Sequence, residues 1–470
     1  AMHTRRCAVL PAAHAVAVQT ASATHTIEAV KGHKRFGFNY DVGGEQKTQI
    51  RGGTGIFTGR PAYVWISNQI GNTGVLTGFI QADTTFAYPF HPDPDHYKPA
   101  PTGAPASSFR LAVTDPAFKF PQLWRSNIAI DQRLPWGLTG TAEYMYSKDV
   151  NGIAYINANL PAPQSAFFGP DGRPRWTSNR IYGSVTDAIV LTNQGRGYSW
   201  NFSGSLERGF RNGLFAKVGY SYGESKNTVD AGSIAIGSWT GNQIAIDPNN
   251  PIAAYSQFNP GPRVFAAITY SRDFFKIGAT SISLYWDGRS SGSSSYIFSN
   301  DMNGDGATND LIYIPRNTSE MNFQQYVVLP DTFTIAEQTA AWEAYIQQDP
   351  YLRAHRGEYA QRNGVVRPMV YRADLSLSQD LAPRIGGQTH ALQIRLDMLN
   401  FTNWLNDNWG VSSILTTDRP LASQGADATG ANLYRLNTVG GRLISKSFQK
   451  AVTVNDVWRM QLGVRYMLNW

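Results

Sequence analysis

The residues with the clearest potential for chemistry are Asp301, Asn303, Asp305 and Gly306, which spell D-x-N-x-D-G. Oxygen-bearing side chains at three alternate positions, followed by a glycine at a sharp turn, can surround a hard cation, and calcium is the natural candidate. The alternative is a structural role, in which the same Asx side chains form turns that cap a hairpin. The two interpretations are evenly weighted on the sequence.

The remainder of this loop departs from the EF-hand pattern. At the twelfth position, where an EF-hand has a bidentate glutamate, this chain has Ile312, so a complete site would also need Asn309, Asp310, backbone carbonyls or water. The predicted calcium ligands are therefore Asp301, Asn303, Asp305, Asn309 and Asp310.

Catalytic chemistry is not indicated. The sequence has no G-x-S-x-G, no H-E-x-x-H and no phosphate-binding loop. His91, His96, His355 and His390 also lack the spacing of metal ligands. We therefore expect that the protein is not an enzyme.

The elements that must position the Asp/Asn loop are β-strands. Segment 457–470 shows the period-2 alternation of a strand with one apolar and one mostly polar face. A soluble sandwich would also produce this pattern, but an aromatic residue at the end of such a strand suggests a protein of the bacterial outer membrane. The apolar face consists of Trp458, Met460, Leu462, Val464, Tyr466, Leu468 and Trp470.

Loop lengths favour the membrane setting. Alternating segments occur in pairs joined by short turns, and long connections separate the pairs. Loops above about 15 residues are uncommon in compact soluble domains, whereas membrane barrels combine short periplasmic turns with long extracellular loops. The short turns lie at 41–46, 135–137, 208–213, 271–276 and 381–388, and the long connections lie near 60–120, 150–197, 223–261, 299–368 and 403–455.

Composition is consistent with such a wall. The 470-residue chain is 42% apolar and 12% aromatic, and it has no apolar run approaching the roughly 18 residues that a membrane helix needs. Cys7 is the single cysteine, which excludes an internal disulfide. The net charge of +7 is spread along the chain, so nucleic acid is not indicated as a partner.

Aromatic and charged residues predict where the wall meets its surroundings. Aromatic residues near strand ends predict a belt at each bilayer interface. The belt beside the long loops contains Tyr144, Tyr146, Tyr198, Trp200, Tyr220, Tyr222 and Trp286, and the opposite belt contains Trp136, Phe210, Phe274 and Trp470. The charges predicted to line the polar interior are Glu143, Glu207, Lys217, Arg395, Asp397, Arg459 and Arg465.

Two further segments stand apart from the strand pattern. Residues 1–33 resemble a secretory signal in part, but Pro11 and His14 interrupt the apolar stretch, and we interpret them as a non-family or disordered leader. Residues 334–356 predict a helix within a long loop, with Ile335, Trp342, Tyr345 and Ile346 on one face.

From about residue 34 to the end, the chain resembles the C-terminal barrel portion of TonB-dependent outer-membrane receptors, most closely their Oar-like branch. The matching stretches are Arg35–Asn68, with Arg-Gly-Gly in a strand, Asp115–Pro163, Asn300–Asn317, with an Asp/Asn-rich turn, and the closing strand. This resemblance implies a 22-stranded antiparallel transmembrane β-barrel, a plug inside it, and energy from the inner-membrane TonB complex.

The chain departs from this family pattern. It contains no recognisable plug domain or TonB-contacting box, and about eleven strands can be counted, which is an odd number for a single-chain barrel. We therefore expect residues 34–470 to be the C-terminal half of the wall, with at least one strand missing upstream. Such a fragment would form an open sheet or a strained closure, because unpaired edges are costly in lipid.

The sequence leaves three hypotheses of function. The first is part of an active importer of a large or scarce solute, with outer-membrane lipid, lipopolysaccharide and the barrel-insertion machinery as partners, the last through the C-terminal strand. Contact with the TonB complex would occur only through the missing plug. The second hypothesis is a structural or adhesive outer-membrane protein, and the third is a soluble secreted glycan-binding β-protein.

Overall fold

The computed structural model describes residues 7–11, 34–59, 62–68, 88–98, 108–232, 234–381, 384–385 and 388–469. Strands, nearly all of them antiparallel, are the main regular elements of this part of the chain. The strands are β1 (Cys7–Pro11), β2 (Lys34–Val42), β3 (Thr48–Thr58), β4 (Phe109–Thr114), β5 (Gln122–Leu134), β6 (Leu138–Asn157), β7 (Ser165–Ala166), β8 (Pro174–Arg175), β9 (Val185–Gln194), β10 (Tyr198–Gly209), β11 (Leu214–Asn227), β12 (Ala254–Tyr255), β13 (Gly261–Arg272), β14 (Thr280–Ser290), β15 (Ser293–Ser294), β16 (Asn322–Phe323), β17 (Tyr326–Val328), β18 (Asp331–Phe333), β19 (Val365–Val366), β20 (Met369–Leu381), β21 (Arg384–Ile385), β22 (Gln388–Leu399), β23 (Ser413–Leu415), β24 (Leu421–Ala426), β25 (Asn432–Leu436), β26 (Thr438–Val439), β27 (Arg442–Leu443), β28 (Phe448–Lys450) and β29 (Arg459–Asn469).

The helices are short and lie between the strands. None of the helices in the described ranges is long and apolar enough to cross a membrane. The α-helices are α1 (Tyr63–Ser67), α2 (Ala235–Thr240), α3 (Ile335–Gln348), α4 (Pro350–Ala354) and α5 (Phe401–Leu405).

Eleven of the described strands form one continuous wall in which each strand pairs antiparallel with its neighbours. This confirms the five predicted hairpins and the predicted final strand. Cys7–Pro11 adds one further pairing to β2, and the rest of segment 1–33 lies outside the described residues, so the leader interpretation stays a prediction. The wall strands, in spatial order, are β2, β3, β5, β6, β10, β11, β13, β14, β20, β22 and β29.

The pairing register separates an apolar face from a polar face. Leu206 lies opposite Val218, and one position further along the same two strands Glu207 lies opposite Lys217. On the polar face, Lys217 Nζ lies 2.9 Å from the Glu207 carboxylate, and Arg395 Nε lies 2.8 Å from that of Asp397. On the apolar face Leu462 is 69% exposed, as expected for a side chain that faces lipid.

The short turns lie together at one rim. Residues in or next to neighbouring turns hydrogen-bond across the wall, since Ser271 N donates to Gly213 O at 3.0 Å and Arg133 N donates to Lys47 O at 2.7 Å. Trp136 in this rim is 79% exposed, while Trp200 and Tyr222 contact each other near the opposite strand ends, with ring centroids 5.5 Å apart. The predicted separation of turns and long loops is confirmed, and Trp470 lies outside the described residues.

The wall continues beyond the predicted strand ends. The long connection predicted for 150–197 is wrong at both ends, because β6 runs to Asn157 and β9 occupies Val185–Gln194. These two strands pair with each other, and β9 also pairs in parallel with β4. Tyr155, Ile189 and Leu191 supply the physical reason, since all three are at least 97% buried and form a core above the wall. Apolar burial therefore extends the sheet where loop length alone predicted irregular chain.

The predicted helix forms as two consecutive helices, α3 and α4, and one residue predicted on its apolar face is exposed. Thr334 and Glu337 form a reciprocal capping box at the start of α3, and Asp349 caps α4 before Pro350. Trp342, Tyr345 and Ile346 are fully buried, as predicted. Ile335 is 54% exposed instead, because it occupies the first helical position, at the outer end of the helix.

Close approach of the neighbouring strands explains the two glycines in the Arg-Gly-Gly segment of β3. A Cβ atom at Gly52 would lie 2.7 Å from the carbonyl oxygen of Asn127 and 2.8 Å from the Phe38 ring, and one at Gly53 would lie 2.9 Å from Phe36 O. These distances are shorter than ordinary carbon contacts, and the obstruction includes backbone atoms. The strands on either side of β3 therefore require glycine here.

Replacing Gly52 by alanine should impair assembly of the wall, because the backbone of β5 must shift to admit the methyl group. Gly204→Ala is the matched control, since a Cβ there would meet its nearest atom, Thr141 O, at 3.9 Å. The measurement is the fraction of full-length chain in outer-membrane fractions that shows boiling-dependent gel mobility. Equal folded fractions for the two variants would contradict this account of the glycine.

Candidate functional site

The long loops fold together into a body with its own buried core. The described parts of segments 153–194, 228–260, 291–368 and 406–456 contribute to it, and we call them the loop body. Tyr296 and Trp342 from segment 291–368 are fully buried together with Leu421 from segment 406–456. The Tyr296 hydroxyl donates to Asp349 Oδ2 at 2.6 Å, so the core also has a satisfied polar centre.

The Asp/Asn loop lies inside this body and is held by its own backbone. Asp301 accepts hydrogen bonds from Gly304 N at 2.7 Å and from Gly306 N at 2.9 Å, and Asp305 accepts one from Ala307 N at 2.8 Å. Gly304 has φ of 83°, and a side chain there would collide with the carbonyl of Trp176. The turn chemistry that the sequence predicts is therefore present.

The other predicted ligands are directed to different partners. The Asn309 amide donates to Asn242 O at 2.6 Å, and Asp310 Oδ2 accepts from Met302 N at 2.9 Å. Asn303 donates through its amide to Asp305 Oδ2 at 3.2 Å. The five residues thus share one buried neighbourhood, but each side chain already has at least one protein partner.

Arg173 is a charged neighbour of the Asp/Asn loop that the sequence did not reveal. This fully buried residue donates from Nε to Asp171 Oδ1 at 2.8 Å and from Nη2 to Asp171 Oδ2 at 3.1 Å. Its Nη1 lies 3.8 Å from Asp310 Oδ1. No local motif links Arg173 to Asp310, since the two lie in different long loops. The guanidinium supplies positive charge beside one of the predicted calcium ligands.

Burial and mutual repulsion raise the pKa values of the loop carboxyls. Burial raises the pKa of Asp301, and burial together with the negative charge of Asp301 raises the pKa of Asp305 to about 7. Burial raises the pKa of Asp310 to about 8, although Arg173 acts in the opposite direction. The loop carboxyls would therefore hold protons at neutral pH more readily than exposed aspartates do.

The chemistry available here is cation binding or turn formation. In the part of the chain that the structure describes, no group of three or more His, Cys, Asp or Glu side chains is arranged to hold a metal ion. A calcium site would thus depend on amide and backbone oxygens as well as on Asp301 and Asp305. The calcium assignment stays a prediction.

A second feature of the loop body is a recess with a volume of about 450 Å³, within the range of small-molecule sites. Phe168 beside it is 72% exposed. The Thr429 hydroxyl donates to Asp427 Oδ1 at 2.6 Å, and Glu320 accepts from the Tyr313 hydroxyl at 3.0 Å. The recess therefore combines an exposed ring with a polar lining that includes the Thr429 hydroxyl and the Glu320 carboxylate.

Comparison with known proteins places this fold in a family. A family model described as an outer membrane beta barrel domain matches residues 34–413. The chain belongs to this family. It is accordingly a protein of the outer membrane of a Gram-negative bacterium, and the soluble alternative is excluded. Because barrels of this kind have short periplasmic turns, the loop body lies on the extracellular side.

Three solved structures are similar in outline at low identity. The outer membrane transporter YddB from Escherichia coli is 12% identical with a TM-score of 0.45, over 93% of this chain and 40% of that one. The siderophore receptor PirA from Acinetobacter baumannii is 9% identical with a TM-score of 0.35, over 79% and 37%. FpvA of P. aeruginosa, solved with heterologous pyoverdines, is 8% identical with a TM-score of 0.24, over 85% and 42%. The chain thus spans about two fifths of the length of these proteins. A search of curated proteins found no match.

The stability of the loop body should depend on pH in calcium-free buffer. The pKa of Asp305 is about 7 in the folded loop against an ordinary value of 3.8, so the folded state holds this proton more tightly than the unfolded chain. The free energy of unfolding should therefore fall as the pH rises from about 4 to about 7, and Asp310 extends this fall to about 8.

Thermal melting of the detergent-solubilised chain, followed by tryptophan fluorescence at about pH 5 and about pH 8, measures this dependence. Asp305→Asn should reduce the difference in melting temperature, whereas Asp418→Asn, at a side chain that is 56% exposed, should not. Calcium ions should restore the melting temperature at the higher pH if the ligands bind them. A melting temperature that calcium leaves unchanged would assign the loop to turn formation alone.

Proposed function

We propose that the chain is part of an energised outer-membrane receptor that imports a large or scarce solute, and that it belongs to the Oar-like branch of TonB-dependent receptors. The observation that carries this proposal is the loop body itself. Its long loops pack together around two shared clusters of buried residues instead of projecting separately, which is the construction expected of a surface that must hold a ligand in a defined geometry.

The sequence resemblance supports the same proposal independently of the loops. The Arg-Gly-Gly strand, the Asp/Asn-rich turn and the closing strand match the receptor pattern at separate places in the chain. In such a receptor the solute is captured outside, and a plug is rearranged by the inner-membrane TonB complex. The chain would then contribute wall and capture surface, while the plug would be the link to TonB.

The proposed partners follow from the two faces of the wall. The apolar face would contact outer-membrane lipid and lipopolysaccharide. The C-terminal strand β29 would be recognised by the barrel-insertion machinery, because its alternating apolar positions match the insertion signal. The polar face, with ion pairs such as Lys217 to Glu207, would contact a plug. Neither nucleic acid nor an enzymatic substrate is part of the proposal.

Deleting the gene from its host should abolish accumulation of one solute among labelled ferric chelates, cobalamins and oligosaccharides that are too large to diffuse through pores. A protonophore should reduce accumulation of the same solute to the same extent, because import of this class uses the inner-membrane proton gradient. Restoring the intact host gene should restore uptake.

Two outcomes would contradict import. If the deletion strain accumulates every labelled solute as the wild type does, the protein does not import solutes of these classes. A loss that the protonophore does not reproduce would indicate passive entry or surface binding, which is the adhesive alternative.

A further inference from the structure

A cavity on the loop body contains a guanidinium without a counter-ion. This cavity, of about 310 Å³, lies where the hairpin of β17 and β18 meets segments 417–419 and 435–438, and we call it the arginine cavity. Its polar lining is supplied by Tyr326, Thr417, Arg419, Arg435, Asn437 and Thr438. None of the described lining residues carries a carboxylate, so the charged groups that line the cavity are both positive.

Arg435 is the residue that needs explanation. It is half-buried in β25, and its Nε atom is buried with no hydrogen-bond partner among the described residues. Its guanidinium stacks on Tyr326, 4.9 Å from the ring centroid. Stacking uses the face of the guanidinium and supplies no acceptor to the N–H groups in its plane, so the buried Nε donor stays unpaired. Burying this donor unpaired is unfavourable, so an acceptor that is not part of the described chain would stabilise it.

The second arginine has only weak attachments of its own. Arg419 Nη1 donates to Ser299 O at 3.4 Å, and its Nε lies 4.0 Å from the carboxylate of Asp418, which is 56% exposed. An exposed ion pair at this distance contributes little. The Asn437 amide donates to the Arg419 carbonyl at 2.8 Å, which fixes the backbone from which this arginine projects. Arg419 can therefore turn toward a ligand and lose little interaction energy with the protein.

The uncharged side chains also present donors. Thr417 Oγ1 accepts a hydrogen bond from Arg419 N at 3.0 Å, which leaves the hydroxyl hydrogen available. The Tyr326 hydroxyl donates to Leu436 O at 2.7 Å, and this bond fixes the ring on which Arg435 stacks. Donors thus reach the cavity from two segments of the chain, with Thr417 and Arg419 in one and Arg435 in the other.

We propose that the arginine cavity binds a phosphate group. Donors converging from several directions suit a tetrahedral oxyanion with acceptors on every side, and arginine is well adapted to bidentate contact with phosphate. Two sources carry this chemistry at the cell surface: the phosphates of lipopolysaccharide and a free phosphorylated solute. The proposal does not depend on import, because binding would occur whether or not the protein transports its ligand.

The test is calorimetric titration of the detergent-solubilised full chain with inorganic phosphate, at constant ionic strength maintained with sodium chloride. Wild-type protein should show saturable binding, and Arg435→Gln should weaken it by at least about tenfold, as expected for loss of a charged hydrogen-bonding partner. Arg435→Lys, which keeps the charge but not the fork, should give an intermediate affinity. Arg442→Gln is the matched control, since this nearby exposed arginine does not line the cavity.

Boiling-dependent gel mobility of each variant establishes that the wall is folded. Absence of saturable phosphate binding in wild-type protein would overturn the proposal, as would equal affinity in Arg435→Gln and Arg442→Gln. Acetate binding as tightly as phosphate would overturn the assignment to a tetrahedral anion. Cosedimentation with vesicles containing diphosphorylated lipid A, but not with dephosphorylated lipid A, would identify the lipid source, and phosphate binding without such cosedimentation would identify a free solute.

Discussion

The structure depends on the requirement that backbone N–H and C=O groups in hydrocarbon find partners within the protein. A strand satisfies this requirement only through its neighbours, so the ladder from β2 to β29 is a condition for membrane residence. The alternation of side chains follows, because successive residues of a paired strand point to opposite faces. Close pairing also explains Gly52, where a neighbouring carbonyl leaves no space for a side chain.

The wall in turn determines where the loop body forms. Antiparallel hairpins with short turns bring all long connections to one rim, and their apolar residues then find one another there. Trp342 is fully buried among residues of other loops, and truncating a side chain of this kind typically costs about 3–5 kcal/mol. Polar clusters such as Asp171 with Arg173 can therefore be held in fixed geometry outside the membrane.

The features that could be predicted from the sequence are those set by residues close together in the chain. Period-2 alternation predicted the wall strands, and the spacing of Trp342, Tyr345 and Ile346 predicted α3. Contacts between distant segments had no such signal. The parallel pairing of β4 with β9 joins two stretches that both looked like loop, and the ion pair of Arg173 with Asp310 joins separate loops. The turn of the Asp/Asn loop was predictable because its hydrogen bonds are local.

Two arginines of the loop body show why residue type alone does not reveal a role. Arg173 is fully buried and meets the carboxylates of Asp171 and Asp310, so its charge is balanced within the fold. A buried charge that is balanced in this way serves the structure. Arg435 is only half-buried, stacks on Tyr326, and meets no carboxylate in the described chain. Because a partly desolvated guanidinium without an anion is costly to the folded protein, its persistence at a cavity favours a role directed at a ligand.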